Sequence, residues 1–287
     1  MDSVIARLTA VGAPYDPAHY DVRLRRFGEP GGRVRPEDAR RFGQTPKVSC
    51  LMVTRGRLDQ VAFAIRAYAA QTWAQRELVV VAPAATLAGI ETLAAQLGAL
   101  DIVLFAAPQG VSLGDLRNFA IARARGDVML QWDDDDLYDP LRIELTMSVM
   151  LKTDAAAVFL ERWLLWWPAR RLAGVSNRRV WEGSIAVWRA HATIYPALQR
   201  GEDTPVLEYL AASRQIVLFD APLQYVYAVT GRNTWDAAHF ERQMQMAETR
   251  FEGDEYDALN QLLAQRLPIF EYERYLLARA AEAEAVS

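Results

Sequence analysis

Val128-Met129-Leu130-Gln131-Trp132-Asp133-Asp134-Asp135-Asp136-Leu137-Tyr138-Asp139-Pro140 carries a short apolar run into four consecutive aspartates. Four carboxylates this close repel one another, so a fold keeps them together mainly where something positive arrives. The apolar run has the length and character of a buried strand. At a strand end alternate residues point the same way, so Asp133 and Asp135 are expected to converge. A hard divalent cation with oxygen ligands, carrying a phosphate group, fits such a point. A solvated acidic turn is the plainer alternative. Asp139 and Pro140 form a cap and first-turn pair for a helix over 141–151.

Upstream, apolar runs alternate with helical patterns. Val48 to Val53 is a buried-type strand, ended by Thr54-Arg55-Gly56-Arg57. Val61, Ile65 and Tyr68 fall on one helix face. Leu78 to Val81 is a second strand, stopped by Pro83. Leu87, Ile90, Leu93 and Leu97 recur at helical spacing, and Ile102 to Phe105 is a third strand. Ser112 caps a helix carrying Leu116, Phe119 and Ile121. Four strands alternating with helices predict a parallel α/β sheet, with its ligand site beyond the carboxyl ends of the strands. Thr54, Arg55, Arg57, Pro83 and the aspartates all fall at those ends.

Downstream the pattern changes to short strands and turns. Trp163, Trp166 and Trp167 lie in one such stretch, Trp181 and Trp188 flank another, and Ile216 to Phe219 and Tyr225 to Tyr227 are further strands. A helix is expected to start near Thr204-Pro205. Residues 1–46 read as a basic arm with one short helix, packed on the main domain or simply solvated. Residues 241–287 read as a charged, Ala-rich helical tail.

Composition narrows the classes. The chain has 287 residues, a net charge of −4 and 52% apolar residues, with a pI near 5.5. That balance argues against general nucleic-acid binding. The single cysteine, Cys50, excludes a disulfide framework within the chain and reads as a core residue. No apolar run long enough to span a bilayer and no signal-peptide pattern is visible. The expectation is a cytoplasmic protein, with peripheral membrane contact left open.

The order of the pieces resembles family 2 glycosyltransferases of the GT-A (nucleotide-diphospho-sugar transferase) fold. The resemblance rests on Val48 to Thr54, Gln71-Thr72-Trp73 before Glu77 to Val81, and Gly114-Asp115-Leu116-Arg117-Asn118. It continues through Asp133 to Pro140, Gly201-Glu202-Asp203, and Asn233-Thr234-Trp235 with His239. It implies an α/β fold, Rossmann-like and mostly parallel with helices on both faces, and a mixed acceptor-side region. The domain would span 47–240, with a nucleotide-binding half at 47–136 and an acceptor half at 137–240.

The resemblance also implies roles. Asp133-x-Asp135 matches the DxD element that holds Mn²⁺ or Mg²⁺ against the donor diphosphate. Asp135 is the expected direct ligand, with Asp133 and His239 as further metal contacts. Thr54, Arg55, Arg57, Arg117, Asp133 and Asp134 are expected around the nucleotide. Glu202-Asp203 matches the family's acidic pair, with Asp203 as general base. A helix start keeps such a carboxylate ionised, though both acids also suit plain helix capping. The donor is expected to be a UDP-sugar and the acceptor a carbohydrate or other hydroxyl, by an inverting hexosyl transfer. The second strand departs from the family pattern, since it ends Val81-Ala82-Pro83 without an acid to contact the base.

Two other classes compete. A haloacid-dehalogenase-type phosphatase also uses Asp-x-Asp after a strand, but after the chain's first strand and with a threonine or valine where Leu137 stands. A non-catalytic sugar-nucleotide binder of the same fold would explain the missing acid. A calcium-binding loop needs glycine at its sixth position, which is Tyr138 here.

Overall fold

The computed structural model describes residues 1–13, 15, 22–26, 29–43 and 45–286. In chain order the elements begin with α1 (Asp2–Ala10), β1 (Val22–Arg26), β2 (Glu29–Val34) and α2 (Asp38–Arg41). The alternating region follows: β3 (Val48–Val53), α3 (Leu58–Ala69), β4 (Arg76–Ala82), α4 (Leu87–Gln96), β5 (Ile102–Ala106), α5 (Leu113–Arg123) and β6 (Val128–Gln131). Then come β7 (Leu137–Tyr138), α6 (Arg142–Thr153), β8 (Ala157–Leu160), β9 (Leu164–Trp167), β10 (Leu172–Val175) and β11 (Trp181–Trp188). The chain continues through α7 (Thr204–Ser213), β12 (Ile216–Asp220), β13 (Tyr225–Ala228), α8 (Ala237–Gln245), β14 (Thr249–Glu252), α9 (Asp254–Leu263) and α10 (Ile269–Val286).

The larger sheet runs β2-β1-β12-β8-β11-β6-β3-β4-β5. The quartet β6-β3-β4-β5 is parallel. β3 and β4 are buried almost throughout, as their continuous apolar runs require when helices cover both faces. After β5 the chain crosses back and lays β6 on the far side of β3, with Val48 opposite Val128 and Leu51 opposite Gln131. The strand order therefore reverses between β3 and β6, which opens a crevice beyond their carboxyl ends. Thr54 and Asp134 meet there, joined by a hydrogen bond. Beyond β6, antiparallel β11 makes the sheet mixed.

The smaller sheet runs β14-β10-β9-β13-β7. A second core lies against it, built from Trp166, Tyr256, Ile269 and Tyr272 together with Val4 and Leu8 of α1. Within the first 46 residues, α1 and β1 are thus packed rather than solvated. β1 pairs with β12, and its alternation buries Val22 and Leu24 while Arg23, Arg25 and Arg26 face outward. The tryptophans at 163, 166, 167 and 181 are also core. Among the described residues no helix is long and apolar enough to cross a membrane.

Candidate active site

β6 ends at Gln131, so the four aspartates occupy a turn rather than a strand. The alternation expected to aim Asp133 and Asp135 together therefore does not operate. Like charge spreads the carboxylates instead, and each takes its own partners. Asp133 accepts from Gln131 Nε2 at 3.0 Å and more loosely from Arg117 Nη2 and Tyr225, each at 3.4 Å. Asp134 accepts from the Thr54 hydroxyl and from Gln60 Nε2 at 3.4 Å. Asp135 accepts from Asn233 Nδ2 at 3.1 Å. Asp136, fully buried, accepts from the Ala228 amide at 2.9 Å and the Tyr225 hydroxyl at 2.6 Å.

The charge of this turn is poorly compensated. Among the described residues its ion pair is Arg117 with Asp133 at 3.4 Å, and Arg117 is shared with Glu202. Burial, then the neighbouring carboxylates, pushes Asp135 well above the usual carboxylate range. Burial likewise moves Asp134 up to about 6, although the Thr54 hydrogen bond opposes it. A divalent cation would offset that cost, and oxygen ligands suit Mn²⁺ or Mg²⁺. Among the described residues no three acidic, histidine or cysteine side chains group closely enough to hold a metal. The donor set thus fits a cation held by one or two carboxylates and completed by phosphate and water, which is how Mg²⁺ is commonly held beside nucleotides.

A second acidic element faces the first. Glu202 is buried and accepts from Arg117 Nε at 2.6 Å. Burial works against the Arg117 charge, but Asp133 and Glu202 outweigh it and raise its pKa. Asp203 is the N-cap residue of α7 and makes no side-chain capping bond. Burial, reinforced by Glu202, pushes its carboxyl up to about 6.

α5 positions this pair. Ser112 and Asp115 form a reciprocal capping box. A Cβ at Gly114 would lie 1.8 Å from the Pro196 carbonyl oxygen, so only glycine lets α5 approach the loop before α7. Asn118 clasps the same loop, donating to the Tyr195 carbonyl and accepting from the Tyr195 amide, each at 2.8 Å.

The remaining expected residues are dispersed. Arg57 is near enough for its charge to lower both Asp134 and Asp135. Arg55 is exposed. His239 stacks on Trp235, with ring centroids 4.5 Å apart, and lies in the first turn of α8, its amide bonded to the Asp236 cap. Among the described residues no hydrogen bond or ion pair joins His239 to the aspartates. Burial, then Arg242, lowers its pKa.

Residues 49–165 match Glycosyl transferase family 2. Over that stretch the chain is similar to family 2 glycosyltransferases. No curated protein matches the chain. Among solved structures, residues 1–349 of S. aureus TarS share 16% identity, covering 76% of this chain and 69% of that one at a TM-score of 0.52. TarS in complex with UDP-GlcNAc aligns at 15% identity, covering 76% and 71%, with a TM-score of 0.54. The mannosyltransferase PcManGT of Pyrobaculum calidifontis, in complex with GDP-Man and Mn²⁺, aligns at 14% identity, covering 86% and 82%, with a TM-score of 0.52. At such identities the likeness shows the GT-A fold alone.

The family match stops before Glu202, Asp203 and His239. Several residues that hold the acidic turn had no local signal. Gln60, Tyr225 and Tyr272 reach it from elsewhere in the chain. Asn233 stood inside a family motif, but nothing local tied it to Asp135.

Proposed function

We propose that this glycosyltransferase moves a sugar from a nucleotide-diphospho-sugar, UDP-linked in our reading, to an acceptor hydroxyl with inversion, using Mn²⁺ or Mg²⁺. The carrying observation is Arg117, which bonds Asp133 of the acidic turn on one side and Glu202 on the other. One side chain thus ties a donor-side acidic turn to an acidic pair at a helix start. TarS with UDP-GlcNAc and PcManGT with GDP-Man and Mn²⁺ share the fold, which favours a nucleotide-sugar donor. Thr54, Arg55, Arg57, Arg117 and Asp134 are assigned to the nucleotide side, and Asp135, Asp133 and His239 to the metal side. A bound Mn²⁺ or Mg²⁺ would neutralise charge growing on the departing diphosphate.

Asp203 suits the general base better than Glu202 does. Glu202 is occupied by Arg117, whereas Asp203 makes no side-chain cap bond and has a carboxyl near 6. Such a group is ionised at neutral pH and still a useful proton acceptor. It takes the proton of the acceptor hydroxyl as that oxygen attacks the anomeric carbon opposite the departing diphosphate. Attack from the opposite face inverts the anomeric centre, through an oxocarbenium-like transition state.

The test is release of nucleoside diphosphate from a panel of UDP- and GDP-sugars, with Mn²⁺ and with EDTA, followed by NMR of the product anomer. Release that needs metal and gives the inverted anomer supports the reading. A non-catalytic binder, the second reading, is favoured by the carboxylate-free end of β4. It would bind nucleotide and release nothing.

A further inference from the structure

We propose that Tyr272 of α10 is a positioning residue for the donor site, so that the C-terminal helices set the affinity of the acidic turn for metal and diphosphate. This rests on the reading above. Tyr272 lies more than a hundred residues beyond the family match, which ends at 165.

The Tyr272 side chain is fully buried, and its hydroxyl donates to the Asp135 carbonyl oxygen at 2.7 Å. The ring is fixed from several sides. Phe63 of α3 stands 4.6 Å away between centroids, and Trp166 and Tyr275 each 6.0 Å. Just before α10, Arg266 grips Asp139 with two bonds, at 2.5 and 2.7 Å. The acidic turn is therefore held at its middle by Tyr272, and the chain just past it, beyond β7, is held at Asp139 by Arg266. On the outer face α10 is tied to α3 by Arg66 with Glu271 and by Arg279 with Asp59 at 3.6 Å. Those pairs are exposed and contribute little. Packing of the aromatic cluster does most of the anchoring.

The need for such a hold follows from the turn itself. Four adjacent acids push it open, and among the described residues the Asp135 carboxyl accepts from one side-chain donor, Asn233. Fixing the Asp135 peptide restricts where that carboxylate points before any ligand arrives. Outer partners that orient metal-binding groups typically change metal affinity by about 10- to 100-fold when removed.

The test is calorimetric titration of the full-length chain with Mn²⁺ plus UDP or GDP, using whichever binds wild type more tightly, beside thermal unfolding without ligand. Tyr272→Phe keeps the ring and removes the bond. It should weaken metal-dependent nucleotide binding about tenfold, while binding of the nucleotide in EDTA changes less than twofold. Val4→Ala is the control. It opens a cavity in the same core at α1, which supplies none of the rings around Tyr272. It should lower the unfolding midpoint and leave affinity unchanged. Arg266→Lys, which loses the two-pronged grip on Asp139, should weaken binding about threefold and gives a second reading should Tyr272→Phe not fold. Affinity within twofold of wild type in Tyr272→Phe, or in Arg266→Lys where it is the variant read, overturns the proposal. So does an equal loss in Val4→Ala, which would mark general destabilisation. Absence of metal-dependent nucleotide binding in the wild type would overturn the proposed function, and this inference with it.

Discussion

Among the described residues Asp136 accepts two buried donors, the Ala228 amide and the Tyr225 hydroxyl, while its neighbour Asp135 meets one side-chain amide. Identical residues one position apart therefore respond differently to loss. Asp136→Ala strands both donors, each costing about 1–3 kcal/mol, and should lower stability in urea unfolding by roughly 2–6 kcal/mol. Asp135→Ala relieves like-charge repulsion, so it should unfold no earlier than wild type at neutral pH yet lose Mn²⁺-dependent nucleotide binding. The four-acid turn was plain from sequence, but the division of labour was not, because the Ala228 partner stands 92 residues away. As the proposed base, Asp203 should set the pH dependence of the rate. Its carboxyl is raised to about 6 by burial, so the rate should climb as pH rises through about 6 and level off above. The stability sign runs the other way. A carboxyl raised on folding contributes stability that is present below its unfolded value and lost as pH rises through about 6. Asp203→Asn should thus unfold later than wild type at pH 7.5, with the difference closing by pH 4.

At the scale of elements, β3 to β6 were legible because each is a short apolar run between helical patterns. The Ser112 cap of α5 was legible for its side-chain chemistry. Strand order was not, since nothing local says that β6 lies beside β3. That long-range choice is what sets Thr54 against Asp134. The end of β4 matters for selectivity. Its last residue is Ala82, and Pro83 to Thr86 add no carboxylate. A site that hydrogen-bonds a group rejects analogues lacking it, and a site without that contact discriminates less. Competition among UDP, GDP, CDP and TDP should therefore separate them by less than about a hundredfold, or roughly 2.7 kcal/mol. A larger gap would assign base reading to other residues.

The whole molecule is more tightly joined than its sequence suggests. β1 looked like a basic arm because its arginines mask the buried Val22 and Leu24, yet it extends the main sheet along β12. The tail looked merely charged, yet Tyr272 sits in the second core. Deleting residues 1–46 would uncover the β12 edge and strip Val4 and Leu8 from that core. The shortened chain should aggregate or melt well below wild type in a thermal scan, and an unchanged midpoint would show the arm to be dispensable. Arg117 is the joint between the donor-side turn and the acidic pair, and the central claim is that these form one transfer site with Asp203 as its base. The most direct measurement is single-turnover transfer by Asp203→Asn and Glu202→Gln, with donor binding measured on the same samples. Asp203→Asn should lose about 10² to 10⁴ in rate while binding metal and sugar nucleotide like wild type, and Glu202→Gln should lose less. Turnover of Asp203→Asn within a few-fold of wild type, or Glu202→Gln as the dead variant, would contradict the assignment.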